Sequence, residues 1–306
     1  MSTNQKKKIV ITGASGFLGK HLVDRLVRDH RFDIFALSSK GDELQKNNTD
    51  KRLIYCDKDV FQTDSSMLTD AVIVNCAFPR NSTGTGMADG LHYIQKLFEC
   101  AVDCQADAII NISSQSVYSA QREEVAAEET PICLDSPYAV GKYAIELMLE
   151  SICRKSKTKF TNLRMASLIG PGFDQRIVNR LIKQAFRGET LRIVKSEQRF
   201  GFLDVQDAVT AVYSLLNEEI AEWNHIYNVG NGKSYRISDI ADCIMRVFHQ
   251  RGLDFPQMDI EAGSGSGNTG VAYSLLMNDT GYKPTVDLNT SVQMILDHEQ
   301  KICNQK

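Results

Sequence analysis

TGASGFLG, residues 12–19, stands between the apolar run Ile9-Val10-Ile11 and the helical pattern His21-Leu22-Val23-Asp24-Arg25-Leu26-Val27. Glycine loses the most backbone freedom on folding, so Gly13, Gly16 and Gly19 at three-residue steps need a reason. A phosphate ligand supplies one. A helix N-terminus offers backbone N–H groups and a favourable dipole. Glycines permit the tight turn, the close approach of a pyrophosphate and the packing of helix on strand. A purely structural turn is the other reading. The spacing is GxxGxxG rather than GxGxxG, so the strand-to-helix context carries the expectation. Gly13, Ser15, Gly16, Phe17, Leu18 and Gly19 are the candidate cofactor-binding residues of this turn.

Working outward, short apolar runs alternate with longer helical patterns. Strands are expected at 8–11, 33–37, 53–56, 71–75, 108–113 and 160–165, and helices at 16–28, 87–104 and 137–154. Near-continuous apolar strands suit a parallel sheet covered on both faces. Strand–helix alternation implies right-handed βαβ units. The fold class is therefore α/β, a doubly wound parallel sheet of Rossmann type with a smaller C-terminal α/β lobe. Further helices are expected at 175–187, 206–216 and 237–248 and a strand at 191–194, while GSGSGNTG at 263–270 reads as a flexible loop.

The chain has 306 residues, about twice the usual domain size. Its net charge of −3 gives no basic stripe for nucleic acid. Lys6-Lys7-Lys8 reads as a solvated N-terminal tail. No secretory signal or membrane-spanning run is visible, which points to a soluble cytoplasmic protein. Eight cysteines without a secretory context read as free thiols packed in the core. Six histidines without metal-ligand spacing give no metal site.

The second expected strand ends Leu37-Ser38-Ser39-Lys40. A carboxylate at this place holds the ribose hydroxyls of NAD. Ser38 removes that carboxylate and Lys40 attracts a 2′-phosphate, which favours NADP(H) over NAD(H); a plain solvated turn is the alternative. Further on, AIINISSQSVYS (108–119) runs from an apolar strand into serines, and SPYAVGKYAIE (136–146) opens a helix with Pro137 in its first turn. Tyr138 and Lys142 lie four apart and share a helical face. An ammonium beside a phenol stabilises the phenolate and suits it to acid–base work. Ser114, at the carboxyl end of a strand, stands where doubly wound folds gather ligands. Each has a bland reading as a strand-end bond, a core anchor or a solvated charge; together, behind a dinucleotide turn, they favour chemistry.

TGASGFLG, SSQSVY and Tyr138-Ala139-Val140-Gly141-Lys142 resemble the extended short-chain dehydrogenase/reductase family in its NAD-dependent epimerase/dehydratase branch. Glu128-Glu129-Thr130-Pro131, Leu163-Arg164, Gly170-Pro171-Gly172, Phe202-Leu203-Asp204-Val205-Gln206-Asp207 and Tyr227-Asn228-Val229-Gly230 extend the likeness over about residues 9–230. The resemblance implies a cofactor domain over 1–169, completed by a return segment at about 204–230. Residues 170–203 and 231–306 would bind a nucleotide sugar. Tyr138 would be the general acid/base, Lys142 its electrostatic partner and ribose anchor, and Ser114 a donor to the reacting oxygen. Asp57 and Lys58 would lie beside adenine, and Ala77 and Phe78 along the cofactor. A homodimer through the helix of Tyr138 and its predecessor is also implied.

Three departures narrow the reading. Gln115 and Ser116 replace the Asp-Glu pair of 4,6-dehydratases, which argues against dehydration. Gly90 stands where many relatives carry Asn. Arg199, the candidate substrate contact, is one residue off the arginine that grips the nucleotide diphosphate. The expected activity is NAD(P)-dependent redox at C4 of a nucleotide-activated sugar, with reduction of a 4-keto-6-deoxy sugar ahead of 4-epimerisation with retained NAD. A non-catalytic NAD(P)-binding sensor is the remaining alternative, and the retained Tyr/Lys pair argues against it.

Overall fold

The computed structural model describes residues 6–79, 84–217 and 222–304. Its central sheet is built from β1 (Lys7–Thr12), β2 (Phe32–Ser38), β3 (Leu53–Asp57), β4 (Ala71–Asn75), β5 (Ala108–Ser114), β6 (Lys159–Met165) and, later in the chain, a strand at Ile226–Val229. Between β6 and that last strand come β7 (Ser167–Ile169), β8 (Leu191–Lys195), β9 (Arg199–Phe200) and β10 (Phe202–Asp204), so it is β11. The sheet order is β11-β6-β5-β4-β1-β2-β3. β1 pairs in parallel with both β2 and β4, β2 with β3 and β4 with β5. The chain thus leaves β1 in one direction and returns on its other side at β4. That switch point opens a crevice beyond the carboxyl ends of the two strands. The expected doubly wound sheet is present.

The strand sequences explain their places. All five residues of β4 are buried, as are the first six of β5, because both sheet faces are covered. The covering helices are α1 (Phe17–Leu26), the short α2 (Gly41–Lys46), α3 (Thr85–Asp103) and α4 (Pro137–Cys153); α5 (Ile177–Phe186) and α6 (Val205–Asn217) come later in the chain. Under α3 and α4, Ile94, Leu97, Phe98, Ile145 and Leu149 meet Val10, Ile73 and Ile109 of the sheet in one apolar cluster. The lysine run is not a free tail. Lys7 begins β1 and donates to the Leu216 carbonyl at 3.1 Å, while Lys8 donates to that of Thr69 at 2.8 Å. The polar start at 1–5 lies outside the described residues.

The chain divides into two compact units. One comprises Met1–Val117, Leu134–Arg164 and Val212–Tyr227; the other comprises Tyr118–Cys133, Met165–Ala211 and Asn228–Lys306. These differ from the division expected from sequence chiefly at 118–133 and 204–211, which group with the second unit. That unit adds β12 (Tyr235–Arg236), α7 (Ile237–Gln250), β13 (Met258–Ala262), α8 (Ser274–Thr280) and α9 (Leu288–Asn304). Its own core joins Val178, Leu181 and Ile182 to Ile244, Val247, Phe248, Val292 and Ile295. No helix among the described residues is long and apolar enough to cross a membrane.

The segment expected to be a flexible loop, 263–270, is a bound strap over its second half. Arg199 N–H donates to the Gly267 carbonyl at 2.8 Å and Thr269 N–H to that of Arg199 at 3.0 Å. Arg122 Nη2 and Ala126 N–H both donate to the Gly270 carbonyl, at 2.7 and 3.0 Å. The physical reason is close approach. A Cβ on Gly267, whose φ is +104°, would sit 2.3 Å from the Ala120 carbonyl oxygen.

Candidate active site

At the first turn, glycine is dictated by backbone proximity. Gly13 has φ of +63°, and a Cβ there would lie 2.8 Å from the nitrogen of Ala77, two residues beyond the end of β4. A Cβ on Gly19 would lie 2.3 Å from the Gly13 carbonyl oxygen. Gly16 donates its N–H to that oxygen at 2.9 Å and precedes α1 without a capping side chain. No acidic residue occupies the first turn of α1. The result is a backbone cradle at a positive helix end, beside the switch point, and it fits the pyrophosphate of a dinucleotide. Leu18 is buried beneath it, and Phe17 packs edge-on against His21 at 5.2 Å.

Ser38 ends β2 and is almost fully buried. Its hydroxyl donates to Ser15 Oγ at 2.7 Å and accepts the Lys40 N–H at 3.0 Å, joining the glycine turn to the second strand end. Lys40 is exposed. Asp57 pairs with Ser38 across β2 and β3, and its carboxylate accepts the Asp59 N–H at 2.8 Å. Lys58 forms an ion pair with Asp59 and lies 5.3 Å from the Tyr93 ring centre.

Ser136 caps α4 by accepting the Ala139 N–H at 3.2 Å, and Pro137 supplies the preset first helical turn. One turn later Lys142 is buried and donates from Nζ to the Ile112 carbonyl at 2.7 Å. Phe78 joins the pair: its ring meets that of Tyr138 edge-on at 5.1 Å, and Lys142 Nζ stands 4.3 Å from its centre. Ala77 and Phe78 directly follow Cys76, whose thiol burial pushes up to about 12 despite the pull of Lys142. That thiol is unsuited to nucleophilic work at neutral pH. Ser114 ends β5, and its Oγ accepts from the N–H and hydroxyl of Ser116 at 3.2 and 3.0 Å. The unit therefore brings a phenol, a buried ammonium and a strand-end hydroxyl to the same edge of the sheet as the glycine cradle.

Two buried networks escaped the sequence reading. Glu146 of α4 receives Arg164 of β6 through Nε at 3.1 Å and Nη2 at 2.7 Å, and accepts the Ser113 hydroxyl. Across the sheet, Thr12 donates to Asn75 at 2.7 Å, Asn75 to Asn111 at 3.0 Å, Asn111 to Asn162 at 2.8 Å and Asn162 to the His225 carbonyl at 3.3 Å. The signal was legible: a buried polar residue inside an apolar strand must find a partner. AVIVN, AIIN and TNL each carry such an asparagine.

In the second unit, Arg199 is half-buried on β9, which pairs antiparallel with β12. Its backbone is stitched to the strap at Gly267 and Thr269.

The profile of the NAD dependent epimerase/dehydratase family matches residues 9–230. The chain belongs to that family. It is 27% identical over 69% of its length to the uncharacterized UDP-glucose epimerase YtcB of Bacillus subtilis, of which the match covers 73%. It is 24% identical over 81% of its length to a trifunctional UDP-glucose 4,6-dehydratase/UDP-4-keto-6-deoxy-D-glucose 3,5-epimerase/UDP-4-keto-L-rhamnose-reductase of Arabidopsis thaliana, and spans 40% of that protein. Among solved structures, the UDP-glucuronic acid 4-epimerase of Bacillus cereus in complex with UDP-glucuronic acid and NAD superposes with a TM-score of 0.82. It is 23% identical, with 96% and 99% of the two chains covered. The UDP-N-acetylglucosamine 4-epimerase of Bacillus cereus gives 0.80 at 24% identity over 96% and 97%. These likenesses establish the fold.

Within the epimerase/dehydratase family the departures now have locations. Gln115 and Ser116 form the 3₁₀ turn after β5 (Gln115–Val117), so no carboxyl group follows Ser114 directly. A Cβ on Gly90 of α3 would lie 2.4 Å from the Pro79 ring, which fills the space an asparagine side chain would need.

Proposed function

We propose that the protein is an NAD(P)-dependent enzyme that carries out redox chemistry at C4 of a nucleotide-activated sugar, and that this reaction is reduction of a 4-keto-6-deoxy sugar by NADPH. The observation that carries the reading is Phe78 gripping both Tyr138 and buried Lys142 at the sheet edge that also holds the glycine cradle. Gly13, Gly16 and Gly19 would hold the pyrophosphate, with Ser15, Phe17 and Leu18 in the same turn. Lys40 would meet a 2′-phosphate where Ser38 leaves no carboxylate to repel it. Asp57 and Lys58 would flank adenine, and Ala77 and Phe78 the remainder of the cofactor.

When bound, the reduced nicotinamide supplies a hydride to C4. Tyr138 Oη gives its proton to the C4 oxygen, so that negative charge never accumulates there. Ser114 Oγ donates a hydrogen bond to the same oxygen. Lys142, an ammonium held by the Ile112 carbonyl, stabilises the phenolate left behind. Substrate recognition falls to the second unit, with Arg199 as the diphosphate contact. The protein acts as a homodimer through α3 and α4: Val140 and Leu147 present an apolar stripe, each 49% exposed, one helical face apart from the buried residues of α4.

Purified protein given NADPH and a nucleotide-linked 4-keto-6-deoxy sugar is expected to consume reduced cofactor. Tyr138→Phe is expected to lower turnover at least about a hundredfold, the scale of a positioned acid–base group; near-normal turnover removes Tyr138 from the mechanism. The second reading is 4-epimerisation with retained NAD, favoured by the epimerase names of the superposing structures. Cofactor carried through purification, with C4 epimers interconverting and no net consumption, selects it.

A further inference from the structure

Ile112, Ser113 and Ser114 are consecutive at the carboxyl end of β5, and α4 holds the first two. Lys142 donates from Nζ to the Ile112 carbonyl at 2.7 Å. One helical turn on, Glu146 accepts the Ser113 hydroxyl through Oε1. The same carboxylate takes Arg164 Nε at 3.1 and 3.2 Å through its two oxygens and Nη2 at 2.7 Å through Oε2. Ser113, Glu146 and Arg164 are all buried, and none has a role in the chemistry above.

A buried ion pair is a poor device for stability alone, because apolar residues of the same volume often do as well. What this one supplies is direction. The planar guanidinium fork of Arg164 fixes the plane of the carboxylate, and the fixed carboxylate presents one oxygen to Ser113. Three side chains on three elements are thereby locked into one geometry. Lys142 and Glu146, four apart, lie on the same face of α4, so the helix touches β5 at two successive residues. Ser114 is the next residue of the same strand end, so what holds Ser113 against α4 also holds the backbone that carries Ser114.

We propose that Glu146 is a positioning residue. Acting through Ser113, it fixes the rotation and axial register of α4 on β5, and with them the placement of Tyr138 relative to Ser114. The inference rests on the C4 chemistry proposed above, and it needs no contact between Glu146 and substrate or cofactor.

Two double variants separate positioning from bulk stability. Glu146→Gln with Arg164→Met removes the ion pair but keeps an acceptor for the Ser113 hydroxyl. Glu146→Leu with Arg164→Met removes both. The glutamine variant, which keeps the acceptor for Ser113 but loses the fork that orients it, is expected to keep about a third of wild-type kcat. The leucine variant is expected to lose about 30- to 100-fold, the cost of a misplacement near 1 Å, with KM within about twofold and similar thermal midpoints. Ser113→Ala, which leaves the ion pair whole, is expected to lower kcat about tenfold by the same route. Amide hydrogen exchange supplies a readout independent of turnover. Residues 112–116 and 138–142 are expected to exchange about ten times faster in the leucine variant than in the glutamine variant, as for a locally opened segment. Equal kcat and equal exchange in the two double variants, or full activity in Ser113→Ala, overturns the proposal. If wild-type protein turns over no C4 substrate, the functional reading fails, and the exchange comparison still decides the role of Glu146.

Discussion

Two glycine-rich stretches of similar composition do opposite things with their backbones. In TGASGFLG the glycines let a turn, a strand end and a helix start crowd together at the switch point, leaving a helix N-terminus with no capping side chain. In GSGSGNTG the chain spends its polar groups on itself: the Thr269 N–H goes to Arg199, the Gly270 N–H to Asn268 Oδ1, and the carbonyls of 267 and 270 receive Arg199, Ala126 and Arg122. Both need glycine because neighbouring backbone would touch a Cβ at about the same distance, 2.3 Å, from a carbonyl oxygen. Glycine therefore reports close approach in both places. Only one of them lies at the switch point of the sheet, where the proposed cofactor site is.

That contrast can be broken by mutation. Gly19→Val is expected to have the largest effect, weakening cofactor binding by at least about a hundredfold, or about 2.7 kcal/mol, in a fluorescence titration of NADPH. Unchanged affinity would remove the turn from the cofactor site. Gly267→Ala is expected to cost about 2 kcal/mol in urea unfolding, as over-packing does, while NADPH affinity stays within about twofold. Equal loss of binding in both variants would erase the distinction. Gly90→Asn tests a third, purely local close approach. It is expected to cost about 1 kcal/mol and to be relieved by Pro79→Ala in a double-mutant cycle. The smallest effect concerns Asp204 in the second unit. Burial holds its carboxyl above the usual range, against the Gln206 N–H and Ser291 hydroxyl that favour the charged form. A group whose pKa is raised on folding stabilises below its unfolded pKa, and that gain is lost as pH rises through the folded one. Asp204→Asn is expected to flatten this fall in stability on the acid side of neutrality, measured by thermal melts across pH.

The first unit was legible because its signals are local. Apolar runs gave the six strands β1 to β6, and the glycine turn with Tyr138 and Lys142 pointed to one sheet edge. The grip of Phe78 on both residues was not legible, since it depends on the segment after β4 meeting α4 in space. The Glu146–Arg164–Ser113 cluster joins positions on α4, β6 and β5 for the same reason. In the second unit α9 was missed although Leu288, Val292, Ile295 and Leu296 repeat at helical spacing and are all buried. The strap was misread because glycine and serine content suggests mobility until another backbone is there to bind.

The asparagine ladder has a direction, and one atom sets it. The His225 carbonyl can only accept, so Asn162 must turn its amide nitrogen outward and its oxygen toward Asn111. Asn111 and Asn75 must then face the same way in turn, and the Thr12 hydroxyl at the far end is left to donate. Like a row of compass needles aligned by the last one, four side chains on four strands carry an orientation chosen on the opposite flank of the sheet. The hydroxyl so aimed belongs to the residue immediately before Gly13.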